Sequence, residues 1–260
     1  MNRKSGGFRS GVLRLSRFAS TLLAFTAISM AMQSARAETT VEPKRQAFQT
    51  RDGVILVGDV YAQGTKAPTV ILWHQLGRTR ADLQWFIPLL LGKGFSVVNM
   101  DLRGHGESVN TIKNTKIDYK TFTGADWLKL PEDVPLIVQD LKPMRHISGS
   151  LVGIVGCSIG ANMAAMDESD PNVKAVVMLS PGYDYHGLKP EPQLRKSTKP
   201  IFMVAAKPDE FSYDAIQRWA NKKPNLNAAV VSQSAHGDDL LKNERVTDQV
   251  VDFLVNNLHK

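Results

Sequence analysis

Two kinds of apolar pattern follow one another along the chain. Residues 46–50 and 54–61 alternate apolar and polar positions on either side of Asp52 and Gly53, which predicts an antiparallel hairpin. Later runs are short, rich in β-branched residues and apolar on both faces, as the strands of a buried parallel sheet require. These predicted strands are residues 69–73, 95–100, 150–155, 174–180, 200–206 and 227–232.

Helical patterns separate most of the predicted strands. They cover residues 81–93, 132–146, 159–168, 212–222 and 243–258. Strands that alternate with helices favour a parallel sheet covered by helices on both faces, and the leading hairpin makes that sheet mixed. The sequence therefore predicts an α/β fold with about eight strands, mostly parallel. Pro135 and Pro143 predict a kink or a break in the second helix.

The first 37 residues have the organisation of a secretory signal peptide. Basic residues precede an apolar stretch at 19–32, and the spacing of Ala35 and Ala37 predicts cleavage before Glu38. The alternative is a membrane anchor, but a spanning helix needs roughly 20 apolar residues. We expect an exported protein, periplasmic or secreted, with no stable membrane anchor after cleavage. A single domain is expected over residues 38–260.

The positive charge of the chain belongs largely to that leading segment. The whole sequence carries 32 basic and 25 acidic residues, with a pI of about 9.5. Six basic residues lie within residues 1–37, so 26 basic residues face 25 acidic ones in the remainder. This balance gives no reason to expect a nucleic-acid partner. The single cysteine, Cys157, excludes an intramolecular disulfide.

The segment IVGCSIGANMA, residues 154–164, contains the pattern G-x-S-x-G. Ser158 lies between Gly156 and Gly160, after a predicted strand and before a predicted helix. A sharp strand-to-helix turn exposes its middle side chain above the sheet. The alternative is an ordinary turn built from small residues, but this context favours Ser158 as a nucleophile.

Two further side chains follow later strands. Asp209 comes after the strand predicted at 200–206, and His236 comes after the last strand, within SQSAHGDD. Because reactive residues gather at the carboxyl ends of parallel strands, we expect them to meet the serine. His236 would take the serine proton, and Asp209 would orient and stabilise the imidazole. Glu210 and Asp184 are the alternative acids.

The chain resembles the α/β-hydrolase superfamily over about residues 45–258. The resemblance rests on the serine motif, the turn DLRGHGES at 101–108, an acid after the penultimate strand and a late His-Gly pair, in that family's order. The turn is similar to serine aminopeptidases and monoacylglycerol lipases. The short connection after Ser180, with no large cap domain, is similar to dienelactone hydrolases. The choice between these branches stays open.

The resemblance implies a serine hydrolase that cleaves a carboxylic ester or related acyl bond through an acyl-enzyme on Ser158, and the predicted signal peptide makes it an exported one. It implies a small-molecule acyl substrate and neither a cofactor nor a metal. A peptidase or thioesterase that uses the same three residues is an alternative within this chemistry. A non-catalytic binding protein on the same scaffold is an alternative of another class.

Two backbone amides are expected to stabilise the oxyanion of such a reaction. One belongs to Ile159, directly after the serine, and the other to Leu76, in the loop after His74. The resemblance implies a glycine after that histidine, where this chain has Gln75, so a glycine conformation would be lost there.

Candidate substrate contacts are Gln75, Trp127 in the long connection 109–131, and Tyr183. Tyr119, Phe122 and Tyr185 are further aromatic candidates for an acyl pocket.

Overall fold

The fold begins with a hairpin that forms part of a nine-stranded sheet. The computed structural model describes Met1 and residues 41–166, 170–220 and 222–259. Apart from Met1, the predicted signal peptide at 1–37 lies outside these residues. No helix in the described part of the chain has the length and apolar character needed to cross a bilayer.

The sheet is mostly parallel, as predicted. The parallel strands are β3 (Thr69–Trp73), β4 (Ser96–Met100), β6 (Val152–Cys157), β7 (Val173–Leu179), β8 (Ile201–Ala206) and β9 (Leu226–Val231). The hairpin strands β1 (Lys44–Gln49) and β2 (Val54–Tyr61) pair antiparallel, and β2 also pairs antiparallel with β4 and with the short strand β5 (Asn110–Thr111). The order across the sheet is β1-β2-β4-β3-β6-β7-β8-β9. The two-residue β5 is the strand that the sequence pattern did not indicate.

Helices connect the parallel strands. The α-helices are Ile87–Gly92, Gly124–Trp127, Leu130–Leu141, Ile159–Met166, Glu191–Lys196, Glu210–Trp219 and Glu244–Leu258. Three 3-10 segments, Arg80–Phe86, Tyr119–Thr121 and Gly237–Lys242, complete the described elements.

Prolines explain where two helices depart from the predicted bounds. The helix predicted at 81–93 is a 3-10 segment up to Phe86, and it becomes an α-helix where Pro88 occupies the first turn. A proline lacks the N–H that a helix interior requires, but the first turn does not use that group. The helix predicted at 132–146 ends at Leu141, shortly before Pro143, and accommodates Pro135.

Helices cover both faces of the sheet, as predicted. One face packs against Leu130–Leu141, Ile159–Met166, Glu191–Lys196 and Glu210–Trp219, and the other against Ile87–Gly92 and Glu244–Leu258. The last helix approaches β6 closely, because a Cβ on Gly153 would lie 2.7 Å from Leu258 Cδ1. Two apolar cores therefore fix β6 in the middle of the sheet.

The connections leave the carboxyl edge of the sheet open. Residues 180–200, between β7 and β8, contain the short helix Glu191–Lys196 and no large cap domain within the described residues. The long connection 109–131 contains β5, a 3-10 turn and the short helix Gly124–Trp127.

Candidate active site

Ser158 occupies the abrupt turn between β6 and the helix Ile159–Met166. Its φ of +55° is unusual for a residue with a side chain, and its N–H donates to Leu179 O at 2.7 Å. A Cβ on Gly156 would lie 2.2 Å from Gly160 O, so the turn closes only with glycine there. The glycines of the motif therefore permit the strained turn that presents Ser158.

The same turn abuts the end of β3. A Cβ on Gly160 would lie 2.7 Å from His74 O and 2.9 Å from Trp73 O. The start of the helix is thus brought against the loop that follows His74. Cys157 is fully buried at the end of β6, and burial raises the pKa of its thiol, as befits a core residue.

Ser158, His236 and Asp209 form one hydrogen-bonded chain. His236 Nε2 lies 2.9 Å from Ser158 Oγ, and His236 Nδ1 lies 2.7 Å from Asp209 Oδ2. With the carboxylate as acceptor, Nδ1 carries the proton and Nε2 is free to accept from the serine hydroxyl. Ser158 is 5% exposed, whereas the His236 side chain is 41% exposed and so lies at the rim.

Asp209 is the acid that contacts His236. Burial alone would raise the pKa of its carboxyl, but the hydrogen bond with His236 and the nearby hydroxyls of Ser212 and Ser180 bring that pKa below its ordinary value. The other acids considered lie elsewhere: Asp184 accepts the N–H of Gly187 at 2.6 Å, and Glu210 is an exposed first residue of a helix.

His74 orients the loop that contains Leu76. Its Nε2 accepts the N–H of Leu102 at 3.0 Å, so Nδ1 carries the proton that is donated to Gln75 O at 2.8 Å. Burial lowers the pKa of His74 to about 3, which keeps the ring neutral. Because C=O and N–H point in opposite directions across a trans peptide, the Leu76 N–H points away from His74.

Two amides of the site make no hydrogen bond to protein. Within the described residues, neither Leu76 N–H nor Ile159 N–H has a backbone or side-chain acceptor. Both belong to segments that the contact of Gly160 with His74 O brings together. Free amides at such a position are able to bind an anion.

The backbone of Gln75 does not adopt a glycine conformation. Positive φ in this loop occurs at Gly77, at +75°, and Gln75 is not among the described residues with positive φ. The Gln75 side chain turns towards the segment after His236, where Oε1 accepts the N–H of Asp238 at 3.3 Å. Sequence alone gives no signal for this contact, because the partners are 163 residues apart.

The aromatic candidates separate into core and site residues. Trp127 is 5% exposed and stacks on His186 with ring centroids 4.3 Å apart. Tyr183 packs edge-on against Phe211 and Trp219. Tyr185, in contrast, places its hydroxyl 3.3 Å from Ser180 O and 3.5 Å from Ser212 Oγ, beside Ser158. Its position just after β7, at the carboxyl edge, is the only sequence signal for this role.

The DLRGHGES turn braces the loops around the site. Asp101 accepts the N–H groups of Arg80 and Glu107, both at 2.8 Å, and also binds the Arg80 guanidinium. His105 accepts the N–H of Gly77 at 3.2 Å and stacks on Tyr119 at 3.9 Å. Both nitrogens of His105 and of His74 are thus engaged within the protein.

A known family matches the part of the chain that contains these residues. The family described as serine aminopeptidase, S33 matches residues 64–251, well over half of the chain. No curated protein matches the chain significantly. Because the family match includes the turn of Ser158 and the loops of Asp209 and His236, it extends over every part of the site.

Solved structures share the fold at low identity. Esterase Pf2001 from Pyrococcus furiosus is 21% identical, with a TM-score of 0.67 over 84% of this chain and 92% of its own. The esterase EaEST from Exiguobacterium antarcticum is 16% identical, with a TM-score of 0.63 over 81% and 99%. A 2,6-dihydroxy-pseudo-oxynicotine hydrolase is 18% identical, with a TM-score of 0.66 over 94% and 76%. The chain therefore belongs to the serine aminopeptidase S33 family of hydrolases, within the α/β-hydrolase superfamily.

Proposed function

We propose that this protein is a serine hydrolase that cleaves a carboxylic ester or related acyl bond through an acyl-enzyme on Ser158. The observation that carries the proposal is the continuous chain from Ser158 Oγ through His236 to Asp209, with distances of 2.9 and 2.7 Å. A nucleophile, its base and an orienting acid within hydrogen-bond reach are what this chemistry requires.

In the acylation step, Ser158 Oγ attacks the substrate carbonyl carbon while its proton passes to His236 Nε2. The carbonyl electron pair moves onto oxygen, and the amides of Ile159 and Leu76 stabilise that oxyanion. The oxyanion then collapses and breaks the bond to the leaving group. His236 returns the proton to the leaving group, which departs as an alcohol and leaves the acyl group on Ser158.

Deacylation repeats these steps with water. His236 removes a proton from the water molecule as its oxygen attacks the acyl carbon. Collapse of the second oxyanion breaks the bond to Ser158 Oγ, which recovers its proton from His236. The carboxylic acid leaves, and the negative charge of Asp209 stabilises the imidazolium at both stages.

A serine-reactive fluorophosphonate tests the nucleophile directly. We expect covalent labelling of the folded protein and hydrolysis of p-nitrophenyl acetate, both abolished in Ser158→Ala. Ser150→Ala is the matched control, because Ser150 is exposed and precedes β6. Full labelling of Ser158→Ala would reject the assignment. A folded protein that never labels would favour the binding protein.

An aminopeptidase activity is the second candidate, and the family description favours it. The same three side chains serve amide cleavage, but an aminopeptidase must also bind a free α-ammonium group. Comparing p-nitrophenyl acetate with amino-acid p-nitroanilides separates the two candidates. Preference for the anilides by kcat/KM would replace the esterase proposal.

Export is proposed on the N-terminal sequence. The basic and apolar regions and the small residues Ala35 and Ala37 support cleavage before Glu38. N-terminal sequencing of the protein from a periplasmic or medium fraction is expected to begin at Glu38. Recovery of the protein with an intact N-terminus in the membrane fraction would favour the anchor.

A further inference from the structure

Gln75 contacts the chain on two sides of the site. Its carbonyl accepts hydrogen bonds from His74 Nδ1 at 2.8 Å and from the N–H of Arg78 at 3.2 Å, so its backbone is held in the loop after β3. Its side-chain Oε1 accepts the N–H of Asp238 at 3.3 Å. Gln75 therefore connects two segments: the loop after β3, which contains the Leu76 amide, and the segment that contains His236.

The contact between Gln75 and Gly237 is close. Gly237 has a φ of +60°, and a Cβ at this position would lie 1.5 Å from Gln75 Oε1. The backbone angle therefore favours glycine after His236, and a larger residue would displace the end of the Gln75 side chain. On the other side, the Gly237 N–H donates to Ser180 Oγ at 3.0 Å. The two amides that follow His236 are thus held by two different loops.

We propose that Gln75 is a positioning residue that holds His236 and the Leu76 amide in a fixed relation. The inference rests on the proposed function, since it assigns Gln75 a role in the same reaction. Without Oε1, the Asp238 N–H loses its acceptor, and of these two amides only the Gly237 N–H stays held, by Ser180. Displacement of a catalytic group by about 1 Å can lower the rate of the chemical step roughly a hundredfold.

The variant Gln75→Met tests this role, because it keeps the length of the side chain and removes the acceptor. We expect kcat for p-nitrophenyl acetate to fall about tenfold, with KM changed less than about twofold. The matched control is Gln84→Met, at an exposed glutamine of the segment Arg80–Phe86, which is expected to keep wild-type constants. A wild-type kcat in Gln75→Met would overturn the proposal. So would a rise in KM alone, since that result describes a substrate contact.

A double-mutant cycle tests the contact without any activity assay. Gly237→Ala introduces a Cβ against Oε1, and Gln75→Ala removes that oxygen. We therefore expect Gly237→Ala to lower the Tm less in the Gln75→Ala background than in the wild type. Equal decreases in Tm in both backgrounds would contradict the contact.

The proposed function is tested first, on the wild-type protein. If that protein neither reacts with the fluorophosphonate nor hydrolyses p-nitrophenyl acetate, the proposed function is rejected, whatever the variants show.

Discussion

Ser180 accepts the N–H of Gly237 through its hydroxyl oxygen at 3.0 Å, and the nearness of the same hydroxyl helps to lower the pKa of Asp209. Ser180 is fully buried at the end of β7, with a φ of +50°. One side chain therefore connects the acid of the site to the residue that follows His236. This arrangement links the loops after β7, β8 and β9.

We expect Ser180→Ala to lower both stability and activity. The change leaves the buried Gly237 N–H without its acceptor, which costs about 1–3 kcal/mol in the free energy of unfolding. It also removes a neighbouring hydroxyl that helps to lower the pKa of Asp209. Urea unfolding and kcat measure the two effects, with Ser150→Ala as control. An unchanged free energy of unfolding would show that this hydrogen bond contributes nothing.

Tyr185→Phe is expected to lower stability more than the rate of the chemical step. The Tyr185 hydroxyl donates to Ser180 O at 3.3 Å, and a typical hydrogen bond contributes about 0.5–1.5 kcal/mol to the free energy of unfolding. We expect a loss of that size in urea unfolding, with kcat for p-nitrophenyl acetate nearly unchanged. Tyr183→Phe, whose ring packs on Phe211 and Trp219, is the control. An unchanged free energy of unfolding in Tyr185→Phe would contradict a stabilising role for this hydrogen bond.

Gly156→Ala is expected to destabilise the protein by about 1–3 kcal/mol, because its Cβ would overlap Gly160 O. The displaced turn should also lower labelling of Ser158. Gly92→Ala is the matched control, since no atom lies within 4 Å of its Cβ and it ends the helix Ile87–Gly92. That change should stabilise the protein by about 0.4–1 kcal/mol. Equal effects of the two changes in thermal unfolding would contradict the close contact at Gly156.

The pH dependence of stability is expected to differ between wild type and Asp52→Asn. Burial alone would raise the pKa of Asp52, but hydrogen bonds from Arg103 and Thr50 bring that pKa to about 2, well below the ordinary value of an aspartate. A lowered folded pKa stabilises the protein above the unfolded pKa, and this contribution disappears as pH falls from about 4 to about 2. Since the side chain is 34% exposed, we expect a difference on the order of 1 kcal/mol at pH 7. Urea unfolding from pH 7 to pH 3 measures it, and a difference that grows on acidification would contradict the sign.

The apolar pattern predicted most of the sheet because parallel strands are apolar on both faces. The strand predicted at 150–155 in fact covers Val152–Cys157, since Gly156 and Cys157 continue its pairing with β7. Small residues there resemble a turn in sequence, and only the neighbouring strand shows that they are paired. The helix Glu191–Lys196 follows Pro190 and contains a further proline, a composition that sequence reasoning assigns to a loop.

The site was less predictable than the fold. Chain order and strand ends sufficed to bring Ser158, Asp209 and His236 together as candidates. The roles of Gln75 and Ser180 depend on contacts between loops that are distant in sequence, which residue type does not reveal. Tyr183 packs against other aromatic rings, whereas Tyr185 lies beside the site. Because the two tyrosines are two positions apart in one short segment, the sequence does not show which ring faces the site.

The hydrogen bond between His236 and Ser158 joins residues 78 positions apart, and β7, β8, β9 and the helices between these strands lie between them in the chain. Such a contact forms only after slow, non-local pairing of the later strands. During refolding from denaturant, the far-UV circular dichroism of the helices should therefore return before Ser158 reacts with a phosphonate. The recovery of Ser158 reactivity measures the time at which β9 and its loop join the sheet.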